Sequence, residues 1–266
     1  MLLEEKDAVT DTSILRSLIT VLREPHLRTP FFIGFLSLQM VIGIWSITYL
    51  STDMLDSRFP VYIAQMASLF FILANFIAGM LGMLIIEKFG RRSLMLWLGL
   101  FNTISLALFV AFDQLANLYD PLKWGSIVAL ILFGATYGIG LGAIAYFITS
   151  ELVSQQYRAL VQSMVYAANV IATFAFSFAT LPAFTKIGTW SFIPLFIIPS
   201  CLALIYLYFN MPETMGREVH EIVEELMARS YRNESKFDVS EHAGTTSLLR
   251  QGNDYACPAS EIESYI

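Results

Sequence analysis

Charge is what this sequence has least of. Only 14% of its 266 residues are Asp, Glu, Lys or Arg, and 56% are hydrophobic. A soluble globular domain carries about 25% charged residues. The mean hydropathy of +0.61 therefore places the chain in a bilayer. Cysteine is scarce too. Cys201 lies in an apolar run and Cys257 in a polar tail, so neither a disulfide framework nor a thiolate metal site is expected. His26, His220 and His242 are far apart and lack ligand spacing. No basic patch suggests nucleic acid, and nothing calls for a cofactor. The opening Met-Leu-Leu-Glu-Glu-Lys lacks the pattern of a cleavable signal peptide.

Long uncharged runs are what the chain does have. Six are expected to span a membrane: 31–50, 61–86, 93–112, 124–150, 159–184 and 190–210. Each is close to or above the roughly 20 residues needed. The run 61–86 would be about 39 Å long as a helix, so it must tilt or project. Short connections favour antiparallel neighbours, which predicts an all-α integral membrane bundle. Before it, residues 1–30 form a polar segment. Ile14, Leu15, Leu18, Ile19 and Leu22 make an amphipathic stripe there, suited to a membrane surface or a linker helix. After it, 211–229 reads as a cytoplasmic exit with a short amphipathic helix. Residues 230–266 read as a disordered tail.

The connections alternate in charge. Thirteen of the 16 Lys and Arg residues fall on one side; only Arg58, Lys123 and Lys186 fall on the other. The positive-inside rule then puts both termini in the cytoplasm, as an even number of spans requires. The densest cluster is Glu87-Lys88-Phe89-Gly90-Arg91-Arg92, a tight turn between two uncharged runs. The last three residues, Ser264-Tyr265-Ile266, resemble a C-terminal ligand for a PDZ-type groove, with Ser264 and Ile266 as its contacts.

Within the spans the polar residues are neutral: Gln39, Gln65, Asn75, Asn102 and Asn169. No acid, base or nucleophile–base pair lies deep in a run, so no catalytic residue and no proton relay is expected. Amides offer both donor and acceptor, as a polyol solute requires. They can equally hydrogen-bond between helices, for about 0.6 kcal/mol per pair. In the fourth run, Gly134 and Gly138 permit close helix approach. Gly140 and Gly142 make its middle easy to bend, as in the broken helices that line transporter sites.

Three motifs carry a resemblance. Glu87 to Arg92 is similar to the acid-basic-x-Gly-Arg-Arg loop of the sugar porter family of the major facilitator superfamily. Ser150-Glu151-Leu152 with Arg158, and Pro212-Glu213-Thr214-Met215-Gly216-Arg217, resemble two further signatures of that family, in order and at its spacing. The likeness covers its C-terminal six helices and implies one half, the C-terminal bundle, of a transporter. Such transporters bind hexoses between two six-helix halves and move them by rocking the halves.

Position by position, the resemblance assigns solute contacts to Gln39, Asn75, Tyr146, Asn169 and Thr173. Gln39 and Asn169 match family residues, and Asn75 falls on the family's sugar-contacting asparagine. Tyr146 stands where the family has tryptophan and Thr173 where it has asparagine. Met40, Trp45, Leu50 and Val170 depart from the pattern, and the run 140–146 keeps its glycines but none of three prolines. The resemblance also implies a cytoplasmic latch built from Glu87, Arg91, Arg92, Glu151, Arg158, Glu213 and Arg217. Its bidentate Arg–carboxylate pairs would hold the inner helix ends together. The expected partners are the bilayer, a small sugar-like solute, and a second half or second copy. The expected location is the plasma membrane. The competing expectation is a non-transporting half that pairs with a full-length transporter.

Asn233-Glu234-Ser235 is a glycosylation sequon that this orientation keeps from the lumen. Endoglycosidase treatment of the chain expressed in a eukaryotic secretory pathway should leave its mobility unchanged. A shift abolished by Asn233→Gln would reverse the topology.

Overall fold

A computed structural model describes residues 21, 23, 25–56, 58–217 and 219–226. The amphipathic stripe at 14–22, apart from Val21, lies outside these residues, as do the sequon, the tail 230–266, Ser264 and Ile266. The chain divides into two units, residues 1–223 and 224–266. Of the second, only 224–226 are described, and they are helical.

Among the described residues, six helices are long and apolar enough to cross a membrane: Leu27–Asp56, Val61–Ile86, Arg91–Leu115, Asp120–Leu152, Gln155–Ser191 and Ile193–Asn210. A helix is the expected solution, because every backbone N–H and C=O must be satisfied within the segment once water is gone. The third helix outruns its uncharged stretch and continues through Asp113 to Leu115. The first continues through Asp53 to Asp56. Turns of a few residues at 58–60, 87–90 and 153–154 force antiparallel neighbours. The motif-bearing turn 87–90, the turn 153–154 and the exit after Asn210 thus share one end of the bundle, the basic face. Arg58, Asp113 and Thr189 share the opposite face.

Two spans are interrupted. In the first, the helix Pro25–Gln39 stops and Ile42–Asp56 begins. Between them Val41 donates to the Leu38 carbonyl at 3.1 Å, and Ile44 to that of Val41 at 3.3 Å. These three-residue bonds tighten the ladder into a 3₁₀-like turn. The break falls immediately after Gln39. In the fourth span, Tyr137–Leu141 widens into a π-helical turn with non-helical dihedrals at Gly140. A second π turn, Ile193–Ile197, opens the sixth span.

The π turn of the fourth span packs on the second span through a seam of small residues. A Cβ on Gly82 would sit 2.2 Å from the Ile139 carbonyl oxygen. Gly134 lies against the Phe71 ring and Gly138 against Asn75. Lipid tails are as apolar as leucine, so association must come from such close van der Waals fit.

Toward the opposite face the core is aromatic. Phe192 stacks edge-on to Phe109 at 6.1 Å and lies 5.8 Å from Phe196, which meets Phe176 at 6.1 Å. This ladder ties the third, fifth and sixth spans together. Individual pairs of this kind contribute about 0.5–1.5 kcal/mol.

Gly82→Ala should lower stability in detergent by about 1–3 kcal/mol, because a backbone oxygen cannot swing aside. Gly43→Ala, whose added methyl would meet the Phe196 ring at 3.4 Å and the Phe133 ring at 3.8 Å, both ordinary van der Waals contacts, should be close to neutral. Thermal unfolding of the two variants side by side checks the difference.

Candidate functional site

On the basic face, four of the seven latch residues join one network. The third span begins at Arg91, and its first N–H groups have no partner inside the helix. Glu213, which follows the last span, folds over that end. Its Oε1 accepts from the backbone N–H of Arg92 at 3.4 Å, and from those of Thr214 at 3.2 Å and Met215 at 3.3 Å. The carboxylate meets the positive end of the helix dipole there. Gly90 makes the approach possible, since a Cβ at that position would sit 2.6 Å from Glu213 Oε2. The glycine of the turn motif is thus required by a carboxylate 123 residues further on.

Arg92 completes the exchange in the other direction. Its Nη2 donates to the Tyr208 carbonyl at 2.7 Å, at the C-terminal end of the last helix. A guanidinium belongs at that negative dipole end. Arg91 pairs with Glu151 at 3.5 Å, without hydrogen-bond geometry at its buried Nε. The Thr214 hydroxyl donates to the other oxygen of Glu151. The chain of contacts runs Arg91–Glu151–Thr214–Glu213–Arg92–Tyr208 and joins the ends of the third, fourth and sixth spans.

The other three residues are placed differently. Glu87 is exposed and makes no ion pair with a described residue. Arg158 is half-buried, and its buried Nε has no hydrogen-bond partner. Arg217 pairs locally with Glu221 at 3.8 Å, one helical turn on.

The five candidate solute residues lie in four spans, and no side-chain hydrogen bond joins any two of them. Gln39 is buried at the break of the first span. Asn75 packs its amide oxygen against Gly138, at the π turn of the fourth span. Tyr146 meets Tyr166 edge-on at 5.9 Å, and its backbone carbonyl accepts from the Tyr166 hydroxyl at 2.7 Å and Gln162 Nε2 at 2.8 Å. Asn169 is buried with its Oδ1 unpaired. Thr173 is half-buried one turn further along the same span. Ser37 Oγ, Thr149 Oγ1 and Gln162 Oε1 are likewise buried without partners. They sit on the first, fourth and fifth spans, which pack on one another. Asn102, by contrast, accepts from the Thr136 hydroxyl at 2.9 Å and serves packing.

The opposite face holds a cluster that the uncharged-run reading missed. Asp113 is buried, and Arg58 binds it with Nε on Oδ1 at 3.1 Å and Nη2 on Oδ2 at 3.4 Å. Thr189 donates to Oδ2 at 2.7 Å and accepts from Gln114 at 2.7 Å. Arg58 Nη1 donates to Asn117 at 2.6 Å. The cluster clamps the loop after the first span to the end of the third and the entry to the sixth. Its signal in the sequence was one base and one acid at the same membrane depth. Ending the third run at Phe112 placed Asp113 in a loop and hid it.

Six spans, two of them broken at a polar residue or glycine run, form a half bundle of the major facilitator type. The chain belongs to the sugar transporter family: residues 2–226 match the profile described as "Sugar (and other) transporter". It is 24% identical over 209 residues to the facilitated trehalose transporter Tret1 of Apis mellifera ligustica, covering 77% of this chain and 42% of that protein. It is 27% identical over 235 residues to the solute carrier family 2, facilitated glucose transporter member 2 of Rattus norvegicus, covering 85% of this chain and 43% of the relative. Against member 1 of Gallus gallus the identity is 30% over 214 residues, covering 77% and 42%. The chain spans less than half the length of these relatives.

The two faces should respond differently to substitution. Asp113→Ala strands a partly buried guanidinium and should cost about 2 kcal/mol, discounted because the Arg58 side chain is 29% exposed. Arg91→Ala should cost under about 1 kcal/mol, since both partners are a quarter exposed. Glu213→Ala removes a cap and should cost about 1 kcal/mol. Chemical unfolding in detergent ranks the three.

Proposed function

We propose that this chain is the C-terminal half of a sugar-porter-type transporter. It would carry a hexose or similar small polar solute by alternating access, together with an N-terminal six-span half. Localisation at the plasma membrane with both termini in the cytoplasm goes with this reading. The observation that carries it is the set of buried oxygens without partners, Asn169 Oδ1, Ser37 Oγ and Thr149 Oγ1, beside a first span broken at Gln39. A buried acceptor left unpaired in hydrocarbon costs about 1–3 kcal/mol, which a hydroxyl-rich solute relieves on binding. Arg91, Arg92, Glu151 and Glu213 would supply its cytoplasmic latch.

The partner half is supported by where neutral polar residues face outward. The second span exposes Gln65, and the fifth exposes Ser163 and half-exposes Thr173. The sixth exposes Leu202, Ile205 and Phe209. Polar side chains on a membrane helix seek protein rather than lipid. The second and fifth spans are therefore the faces that the other half covers.

A second reading, a non-transporting half that pairs with a full-length transporter, is favoured by three departures from the family pattern. Met40 turns its terminal methyl onto Gly99 of the third span. Trp45 and Val170 are exposed on the surface of the bundle.

Sugar uptake by proteoliposomes separates the two. This chain alone should give none, and co-reconstitution with an N-terminal six-span half should restore it. With that half present, Asn75→Ala or Asn169→Ala should reduce uptake by about tenfold or more, the effect of one lost hydrogen bond to solute. Asn169→Ala should leave thermal stability unchanged, because it breaks no protein hydrogen bond. Absence of uptake with every partner half selects the non-transporting reading.

A further inference from the structure

The outer flank of the bundle carries a groove of about 780 Å³ between the third and sixth spans. Its deep part is apolar: Leu96, Leu100, Leu204 and Ile205 line it, with Trp97 at its side. Its mouth is polar, formed by Arg92, Ser93 and Glu213 on the basic face. The Arg92 guanidinium carries five N–H donors, and among the described residues only Nη2 is spent, on the Tyr208 carbonyl. Oε1 of Glu213 is occupied by three backbone N–H groups, which turns that carboxylate toward the helix end. The remaining donors of Arg92 and the Ser93 hydroxyl therefore face the mouth, alongside Glu213 Oε2.

A charged end that opens onto an apolar slot on the outer flank of the bundle fits one occupant. We propose that this groove is a binding site for a membrane glycerophospholipid. Its phosphodiester sits on Arg92 and Ser93, and one acyl chain lies along Leu96, Leu100, Leu204 and Ile205. Three features select a phospholipid over a free solute or another helix. The groove opens outward among exposed apolar residues, Leu100, Ile205 and Phe209. Basic pockets between membrane helices at the leaflet surface hold phosphate headgroups. Trp97 and Tyr208 flank the slot, as amphipathic aromatics do near the headgroup level. Because Arg92 also holds the end of the last helix, an occupied site braces the same network that joins the third and sixth spans.

Trp97 is a built-in reporter. In the full chain with Trp45, Trp124 and Trp190 changed to Phe, phosphatidylglycerol with brominated acyl chains is titrated into detergent micelles. Diacylglycerol bearing the same chains is titrated in parallel. The phospholipid should quench Trp97 fluorescence saturably and at least about fivefold more tightly, a difference of one charge-assisted hydrogen bond. Arg92→Gln should erase that preference and Arg92→Lys should keep most of it, with circular dichroism verifying that both are folded. Ile205→Phe, which narrows the slot, should weaken quenching by both lipids. Equal quenching by phospholipid and diacylglycerol would overturn the proposal, as would a preference that survives Arg92→Gln. Either result means hydrocarbon alone fills the groove.

Discussion

A helix that begins in the membrane interface must find partners for its first N–H groups, and here the N–H of Arg92 is met by a carboxylate from the far end of the chain. Glu213 reaches back over the start of the third span because Gly90 leaves room and because the dipole favours an anion there. Arg92 returns the favour at the carbonyl end of the last span. The two contacts are individually modest, but together they fix the first and last elements of a loop that encloses four spans. The turn motif, the exit motif and the Glu151 segment are thus parts of one structure whose pieces are scattered along the chain.

The energetics are unequal across the bundle. The Arg91–Glu151 pair is long and a quarter exposed, whereas the Asp113 carboxylate is buried and held bidentately by Arg58 and by the Thr189 hydroxyl. The breaks at Gln39–Val41 and Tyr137–Leu141 lie between these two sites, where helix dihedrals can shift with least loss of ladder hydrogen bonds. A small-residue seam at Gly82 holds the second of these breaks tightly, so its freedom lies within the fourth span rather than between helices.

The spans were legible because an uncharged run of about 20 residues has few alternatives in water or lipid. Glu213 and Gly90 were legible as motif residues, but their contact was not, since nothing local signals a cap 123 residues away. Asp113 escaped because a charge ordinarily ends an apolar run. Here its partner lay across the bundle at Arg58, and pairing let the helix continue. The broken first span was also hidden, because Val41 and Ile42 prolong the apolar pattern while the backbone tightens. Gln39, Asn75, Tyr146, Asn169 and Thr173 could be nominated from resemblance. Which of them is left without a protein partner depends on packing, and only Asn169 has a buried oxygen so placed.

In the proposed transporter, another six-span half covers the second and fifth spans while the sixth faces lipid. Photo-crosslinking from single positions tests this most directly. A benzophenone amino acid is placed in turn at Gln65, Thr173 and Leu202 of the chain co-expressed with an N-terminal half. The account predicts adducts with that half from positions 65 and 173, and lipid adducts alone from position 202. Lipid adducts alone from all three positions would contradict it.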